Sequence, residues 1–285
     1  MKIFKFFKKI FFENFSSIKV QVDYNIFDMK KQVIHINIPD VAKKVLKKLE
    51  ENGHTAYLVG GYVRDQIRSE AKASQDIDIA TSATPDETER LFESAEGTLY
   101  PLGKKFGTIG FLPKGEEQTI EITTYRTGET YTDGRHPDEL RFADSIEEDL
   151  SRRDFTCNAI ACDINGNIVD PFNGIEDIHN NVIRCVGKPD DRFEEDHLRI
   201  LRALRFASQL GFEIEEDCAS SVRKMKDTIN SVSSERIREE LTKLLCGKNV
   251  KQILTLYSDV IFEIIPELKP LYKYDQKTKY HSHDA

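Results

Sequence analysis

No run of about 18 or more apolar residues occurs anywhere in the 285-residue chain, which removes a membrane-spanning helix from consideration. No C-x-x-C pair occurs either. Cys157, Cys162, Cys185, Cys218 and Cys246 are odd in number and scattered, which argues against a zinc ribbon or a disulfide framework and for reduced thiols in a cytoplasmic protein. No small-residue cleavage site follows the lysine-interrupted apolar start, so nothing marks a signal peptide. An excess of basic charge is also missing, the formal net charge being −8. Phosphate contacts need a basic surface, yet a site that holds a divalent cation is itself acidic, so the total hides any local basic stripe and decides nothing. Internal repeats and low-complexity tracts are absent. What remains, 39% hydrophobic and 32% charged residues, is enough apolar material for a core in a well-solvated chain.

The first 28 residues stand apart. Lys2, Lys5, Lys8 and Lys9 alternate with Phe4, Phe6, Phe7, Phe11 and Phe12. This segment is either a basic amphipathic helix lying on a membrane surface or an extension, untranslated or disordered, ahead of a start at Met29. From Pro39 to Asn52, Val41, Val45, Leu46 and Leu49 recur at helical spacing and Gly53 ends the helix. Strands are expected at Ala56–Val59, Asp76–Ala80, Thr108–Leu112, Gln118–Tyr125 and Ala159–Ile164, with helices at Tyr62–Ser69 and Pro85–Ser94. Beyond about Ile178 the pattern turns helical, with segments Phe193–Leu210, Glu215–Ile229 and Ser234–Leu245. The expected organisation is an α/β head over 29–181, an all-α neck over 182–248, and the start of a further helical or HD-type domain over 249–285.

Three segments carry chemistry. In Leu58-Val59-Gly60-Gly61-Tyr62-Val63-Arg64-Asp65 a strand ends in paired glycines and a helix begins at once. Such a turn lets backbone N–H groups approach a phosphate, and Arg64 in the first helical turn reaches the same anion; a bare Gly-Gly is otherwise only a tight turn. In Asp76-Ile77-Asp78-Ile79 the two carboxylates share one strand face, about 7 Å apart, while the isoleucines enter the core. Taken alone, this pair fits a metal site or a solvated acidic face equally well. The strand Thr119-Ile120-Glu121-Ile122-Thr123 alternates in the same way and adds Glu121 to the polar face. A phosphate turn, an Asp-x-Asp strand and a later strand acid together describe phosphoryl transfer assisted by two cations.

The order G-G-x-V-R-D, D-I-D, Arg152-Arg153-Asp154-Phe155-Thr156-Cys157-Asn158-Ala159 and Glu195-Asp196-His197-Leu198-Arg199 resembles the class II tRNA nucleotidyltransferases. These comprise CCA-adding enzymes, CC-adding and A-adding relatives, and bacterial poly(A) polymerases. The resemblance runs from about Ala56 to Leu245. It implies a DNA-polymerase-β-like nucleotidyltransferase head with a mixed sheet, followed by an all-α neck. It also implies Asp76 and Asp78 as Mg2+ ligands with Glu121 assisting catalysis, and Gly60, Gly61 and Arg64 on the triphosphate. Arg152, Arg153, Asp154 and Asn158 fall in the motif around the nucleotide sugar and phosphates; Glu195, Asp196 and Arg199 fall in the motif that reads the base. On a helix, Asp196 and Arg199 share a face. A carboxylate there accepts from the amino group of cytosine or adenine and is opposed by the carbonyl oxygen of uracil or guanine. The plainer alternative is a surface salt bridge. Arg192, Arg202 and Arg205 join Arg199 as an RNA-facing stripe or as partners of Glu194 and Glu195.

Within the family, Gly103-Lys104-Lys105-Phe106-Gly107-Thr108-Ile109-Gly110 lacks the histidine expected of poly(A) polymerases. The loop Tyr131-Thr132-Asp133-Gly134-Arg135-His136-Pro137 disfavours a pure CC-adder. Tyr280-His281-Ser282-His283-Asp284-Ala285 resembles the opening of an HD phosphohydrolase-like module; His281, His283 and Asp284 form no metal site alone. The expected activity is addition of C and A, or of the terminal A alone, to the tRNA 3′ end from CTP and ATP. Poly(A) polymerase activity and a truncated, inactive nucleotide- or RNA-binding remnant are the alternatives.

Overall fold

The computed structural model describes residues 34, 36–69, 76–92, 96–127 and 141–272. The segment 1–28, the Tyr131–Pro137 loop and the His281, His283, Asp284 ending lie outside the described residues. Two units are distinguished, Met1–Ile34 and His35–Ala285, and the architecture below belongs to the second.

Helix α1 (Asp40–Glu51) buries Ala42, Val45, Leu46 and Leu49, the stripe expected from their spacing, and ends ahead of Gly53 at φ 85°. Strand β1 (Ala56–Val59) enters the core and passes through Gly60 into α2 (Gly61–Ile67). Gly60 has φ 73° and ψ −138°, a region that side chains rarely allow. Next come β2 (Ile77–Thr81) and α3 (Pro85–Leu91). The start of α3 is fixed by Pro85 at its first turn and a capping box between Thr84 and Glu87. Strands β3 (Gly97–Gly103), β4 (Thr108–Pro113) and β5 (Ile120–Thr124) follow, then α4 (Ile146–Ser151), the short β6 (Ala161–Cys162) and β7 (Ile168–Val169), α5 (Gly174–His179) and β8 (Val182–Ile183).

The seven-stranded sheet has the order β3-β4-β5-β2-β1-β6-β7. Every pairing is antiparallel except β2 with β5. That one parallel pairing makes the sheet mixed and sets Asp78 level with Glu121. A core of Val59, Ala80, Tyr125, Ile146, Leu150 and Ala161 packs on the sheet face that Asp78 shares, Val59 being its register partner and Ala80 two residues along.

The neck contains α6 (Pro189–Glu195), α7 (Leu198–Leu210), β9 (Glu213–Ile214), α8 (Glu216–Lys224), α9 (Ser234–Leu245), α10 (Val250–Leu256) and α11 (Ser258–Ile264). The parallel pairing of β8 with β9 ties together the chain on either side of α6 and α7. Helices α7 and α9 meet closely: Ser208 donates to the Leu244 carbonyl at 2.7 Å. A Cβ on Gly247 would fall 2.1 Å from the Ser208 hydroxyl, so that turn accepts only glycine.

Three expectations need correction. The helix expected over Phe193–Leu210 is broken at Asp196, whose backbone is extended. The Glu215–Ile229 helix gives way after Lys224 to a 3-10 turn over Lys226–Ser231. The Ala159–Ile164 strand shrinks to Ala161–Cys162, because Thr156–Asn158 coil into a 3-10 turn.

Candidate active site

An open cleft of about 550 Å³ lies between the β1–β2–β5 end of the sheet and the start of α7. Twelve of the thirteen candidate residues line it: Gly60, Gly61 and Arg64; Asp76, Asp78 and Glu121; Arg152, Arg153, Asp154 and Asn158; Asp196 and Arg199. Glu195 does not. It pairs with Arg199 at 2.6 Å and with Arg192 at 2.8 Å.

The acidic corner is built by the sheet. Ile77 and Ile79 point into the core and leave Asp78 on the cleft face, with exposed Asp76 immediately before the strand. Ile120 and Ile122 do the same for Glu121. Burial, then the neighbouring Glu121 charge, push the Asp78 carboxyl up to about 6; Arg153 works against this shift and Asp76 adds to it. The Gly60 turn closes over this corner. A Cβ on Gly60 would stand 3.3 Å from Asp78 Oδ2 and 3.6 Å from Arg153 Nη1. Among the described residues no group of three or more His, Cys, Asp or Glu is drawn into a metal cluster. The donor set still suits a hard divalent cation, because crowded carboxylate oxygens favour one and phosphate oxygens of a nucleotide complete its coordination.

The basic wall is ordered by internal carboxylates. Arg64 donates through Nη1 to Asn158 Oδ1 at 2.7 Å and through Nε to Asp65 at 2.8 Å. Asp154 is buried; its Oδ1 accepts the Phe155 N–H at 2.8 Å, and its Oδ2 accepts Arg202 Nε and Nη2 at 2.8 and 2.6 Å. Burial alone would raise this carboxyl, but Arg202 and Arg199 overcome it and hold it at about 2. Asp154 therefore orients a neck arginine and is not itself free to meet a sugar on both oxygens. Buried Glu240 on α9 holds Arg205 and, at 3.5 Å, Arg202.

Asp196 and Arg199 both reach the cleft, but not as an i,i+3 pair on one helix. Asp196 Oδ1 accepts the Leu198 N–H at 3.1 Å, capping α7, and Oδ2 accepts Arg236 Nη2 at 2.8 Å. Arg199 is braced by Glu195 and by the carbonyls of Arg192 and Arg152, the last at 3.0 Å.

Sequence reasoning passed over several lining residues. Arg202 and Arg205 are not among them: expected beside Arg199 as a stripe or as partners of Glu194 and Glu195, they line the cleft and pair instead with Asp154 and Glu240. Phe206 lies under the guanidinium groups of Arg205, Arg202 and Arg64, 3.8, 5.4 and 5.5 Å from its ring centre. Thr108 and Thr123, hydroxyls 3.0 Å apart, continue the Glu121 face. Among the described residues the cleft carries eight arginines against five carboxylates, a local positive excess that the net charge of −8 conceals.

The model of the poly A polymerase head domain matches residues 56–184, and that of the probable RNA and SrmB-binding site of polymerase A matches residues 211–271. The chain belongs to the class II tRNA nucleotidyltransferase and poly(A) polymerase family. It is 46% identical to the CCA-adding enzyme of Bacillus subtilis (strain 168) over 226 residues, covering 79% of this chain and 55% of that protein. To the CCA-adding enzyme of Lactobacillus helveticus (strain DPC 4571) it is 44% identical over 234 residues, 81% of this chain and 57% of the relative. Among solved structures, it superposes on the Bacillus stearothermophilus CCA-adding enzyme in complex with CTP with a TM-score of 0.69, at 38% identity, covering 76% of this chain and 51% of that one. For the Thermotoga maritima CCA-adding enzyme complexed with tRNA the TM-score is 0.68, at 28% identity, covering 86% and 56%. The chain thus spans a little over half the length of these relatives. The nucleotidyltransferase head with a mixed sheet and the helical region after it are shared with them. Among the described residues no helix is long and apolar enough to cross a membrane.

Proposed function

We propose that this chain is a nucleotidyltransferase that adds C and A, or the terminal A alone, to the 3′ end of tRNA from CTP and ATP, releasing pyrophosphate. The observation that carries the proposal is that Asp78 and Glu121 stand abreast on parallel strands, under the Gly60 turn, in the cleft that Asp196 and Arg199 also enter. The names of the relatives and their complexes with CTP and tRNA support it.

In this reading Asp76 and Asp78 hold Mg2+, with Glu121 beside them. When bound, the metal supplies activation of the attacking 3′ hydroxyl and charge relief for the departing pyrophosphate. The backbone of Gly60 and Gly61, with Arg64, receives the triphosphate, and Arg152 and Arg153 flank it. Asn158 and Asp154 keep Arg64 and Arg202 in place through the bonds described. Asp196 still has unused lone pairs beyond those given to Leu198 and Arg236; these accept the amino group of cytosine or adenine, while Arg199 donates to the ring nitrogen or carbonyl oxygen. Uracil and guanine offer an oxygen to the carboxylate and are rejected. Among the described residues the five cysteines are free thiols, which suits a cytoplasmic enzyme.

The test offers tRNA transcripts ending before CCA, after the first C and after CC, with each labelled nucleotide and Mg2+. Addition of C and A to the shortest, or of A to the CC-ended form alone, supports the reading. Long A tails on unrelated RNA would replace it with poly(A) polymerase activity. No incorporation by a folded chain, with Asp78→Asn indistinguishable from wild type, sinks it.

A further inference from the structure

One buried carboxylate outside every sequence motif organises the arginine wall. Asp149 lies on α4 with its side chain only 1% exposed. Its Oδ1 accepts Arg152 Nε at 3.1 Å, Arg152 Nη2 at 2.9 Å and the Arg126 backbone N–H at 3.2 Å. Its Oδ2 accepts Arg153 Nε at 3.3 Å and Nη2 at 3.0 Å. Five donors therefore converge on one carboxylate, close to the acceptor capacity of the group.

Two consequences follow from this geometry. Each arginine commits its Nε–Nη2 edge to Asp149, and a planar guanidinium held by one edge has its remaining N–H groups aimed in a fixed direction. Both arginines line the cleft and keep side-chain exposures of 16% and 20%. Arg153 Nη1 also donates to the Asn158 carbonyl at 3.3 Å and stands beside the Gly60 turn. Two cations share one anion, so the group retains positive charge for a ligand on the cleft side. The bond to the Arg126 N–H then ties in the segment just beyond β5, the strand that carries Glu121. The same carboxylate thus sets the arginine pair against the acidic corner.

We propose that Asp149 is the positioning residue that aims Arg152 and Arg153 at the triphosphate of the incoming nucleotide, an inference that rests on the nucleotidyltransferase reading above. Asp149 touches no substrate; it acts through the two guanidinium groups.

The test uses the full chain with Asp149→Asn and Asp149→Glu. Inorganic triphosphate and CTP binding are titrated calorimetrically, and KM and kcat for nucleotide incorporation are measured well below each variant's Tm. Asn keeps the shape but loses the charge that holds two guanidinium groups, so triphosphate and CTP Kd and nucleotide KM rise about tenfold or more, with kcat changed less. Glu restores the charge one methylene further out and loses less, about threefold. A purely structural residue would lower Tm and leave these constants alone; that result overturns the proposal, as does wild-type triphosphate affinity in a folded Asn variant. Should Asn fail to fold, a folded Glu variant with wild-type affinity overturns it equally. If wild type binds triphosphate, Asp149→Asn weakens that binding and no tRNA is extended, the positioning role stands while the tRNA reading falls. If wild type extends tRNA and both variants match it in KM, the reverse holds.

Discussion

Asp78 and Glu121 occupy matching positions on two parallel strands, so their carboxylates share one face of the sheet although 43 positions separate them in the chain. Each gains its place from flanking isoleucines that enter the core. Repulsion between them is part of what raises the Asp78 carboxyl. Asp78→Asn removes that repulsion and a buried charge, so nucleotide incorporation should fall by at least about a hundredfold while the Tm of the metal-free protein stays level or rises. Thermal melts in EDTA beside incorporation assays check this; loss of activity with a large drop in Tm would contradict it.

Gly60→Ala should damage the site from the opposite side. The substitution forces a Cβ onto a backbone at φ 73° and to within 3.3 Å of Asp78 Oδ2. A stability loss of about 1–2 kcal/mol is expected, together with a fall in kcat larger than the change in Tm accounts for. Denaturant titration and single-turnover incorporation measure the two parts separately.

Asp154 gives a pH signature. Its carboxyl is held at about 2, below the ordinary value of 3.8, by Arg202 and Arg199. A depressed carboxylate contributes stability that is fully present above its unfolded pKa, so the contribution should be complete above about pH 4 and fade between 3.8 and 2. Asp154→Asn should flatten that acid limb in Tm measured between pH 5 and 2.5. At neutral pH the variant should lose on the order of 2 kcal/mol, the cost of leaving part-buried Arg202 with one charged partner fewer.

Arg236 fixes the orientation of Asp196 at 2.8 Å. Arg236→Met should free that carboxylate to rotate and so loosen base choice. UTP incorporation relative to CTP is expected to rise about tenfold, with CTP KM rising less. An unchanged UTP-to-CTP ratio would show that Asp196 needs no such brace.

The capping box at α3 provides a control remote from the cleft. Thr84→Ala removes the acceptor for the Glu87 N–H and should cost about 1 kcal/mol, read as a Tm lower by a few degrees, with kcat and KM unchanged.

Much of this architecture was legible because alternation is a strong signal. Ile120 and Ile122 around Glu121, and Ile77 and Ile79 around Asp78, revealed which face each carboxylate takes. What stayed hidden has identifiable causes. The break at Asp196 carries no Gly or Pro, and the Glu195-to-Arg199 spacing fits an unbroken helix; only the side-chain cap on the Leu198 N–H marks the turn. Asp149 follows Glu147 and Glu148, so in sequence it looks like part of a solvated acidic face. Its burial comes from the fold alone. Strands β6 to β9 hold two residues each, too few to display any period.

The single parallel pairing in the sheet also bears on how the molecule assembles. Parallel neighbours cannot be joined by a tight hairpin, so β2 meets β5 only after the chain has run out through α3, β3 and β4 and returned. Closing that long loop is among the slower steps available to such a fold, because its entropy must be overcome before the contact is made. Strand β5 also occupies the gap between β4 and β2, so docking it joins the β3–β4 hairpin to the β2–β1 side of the sheet. A nascent or partly folded chain therefore holds Asp78 and Glu121 apart on separate segments, and the acidic corner comes together only when β5 docks beside β2.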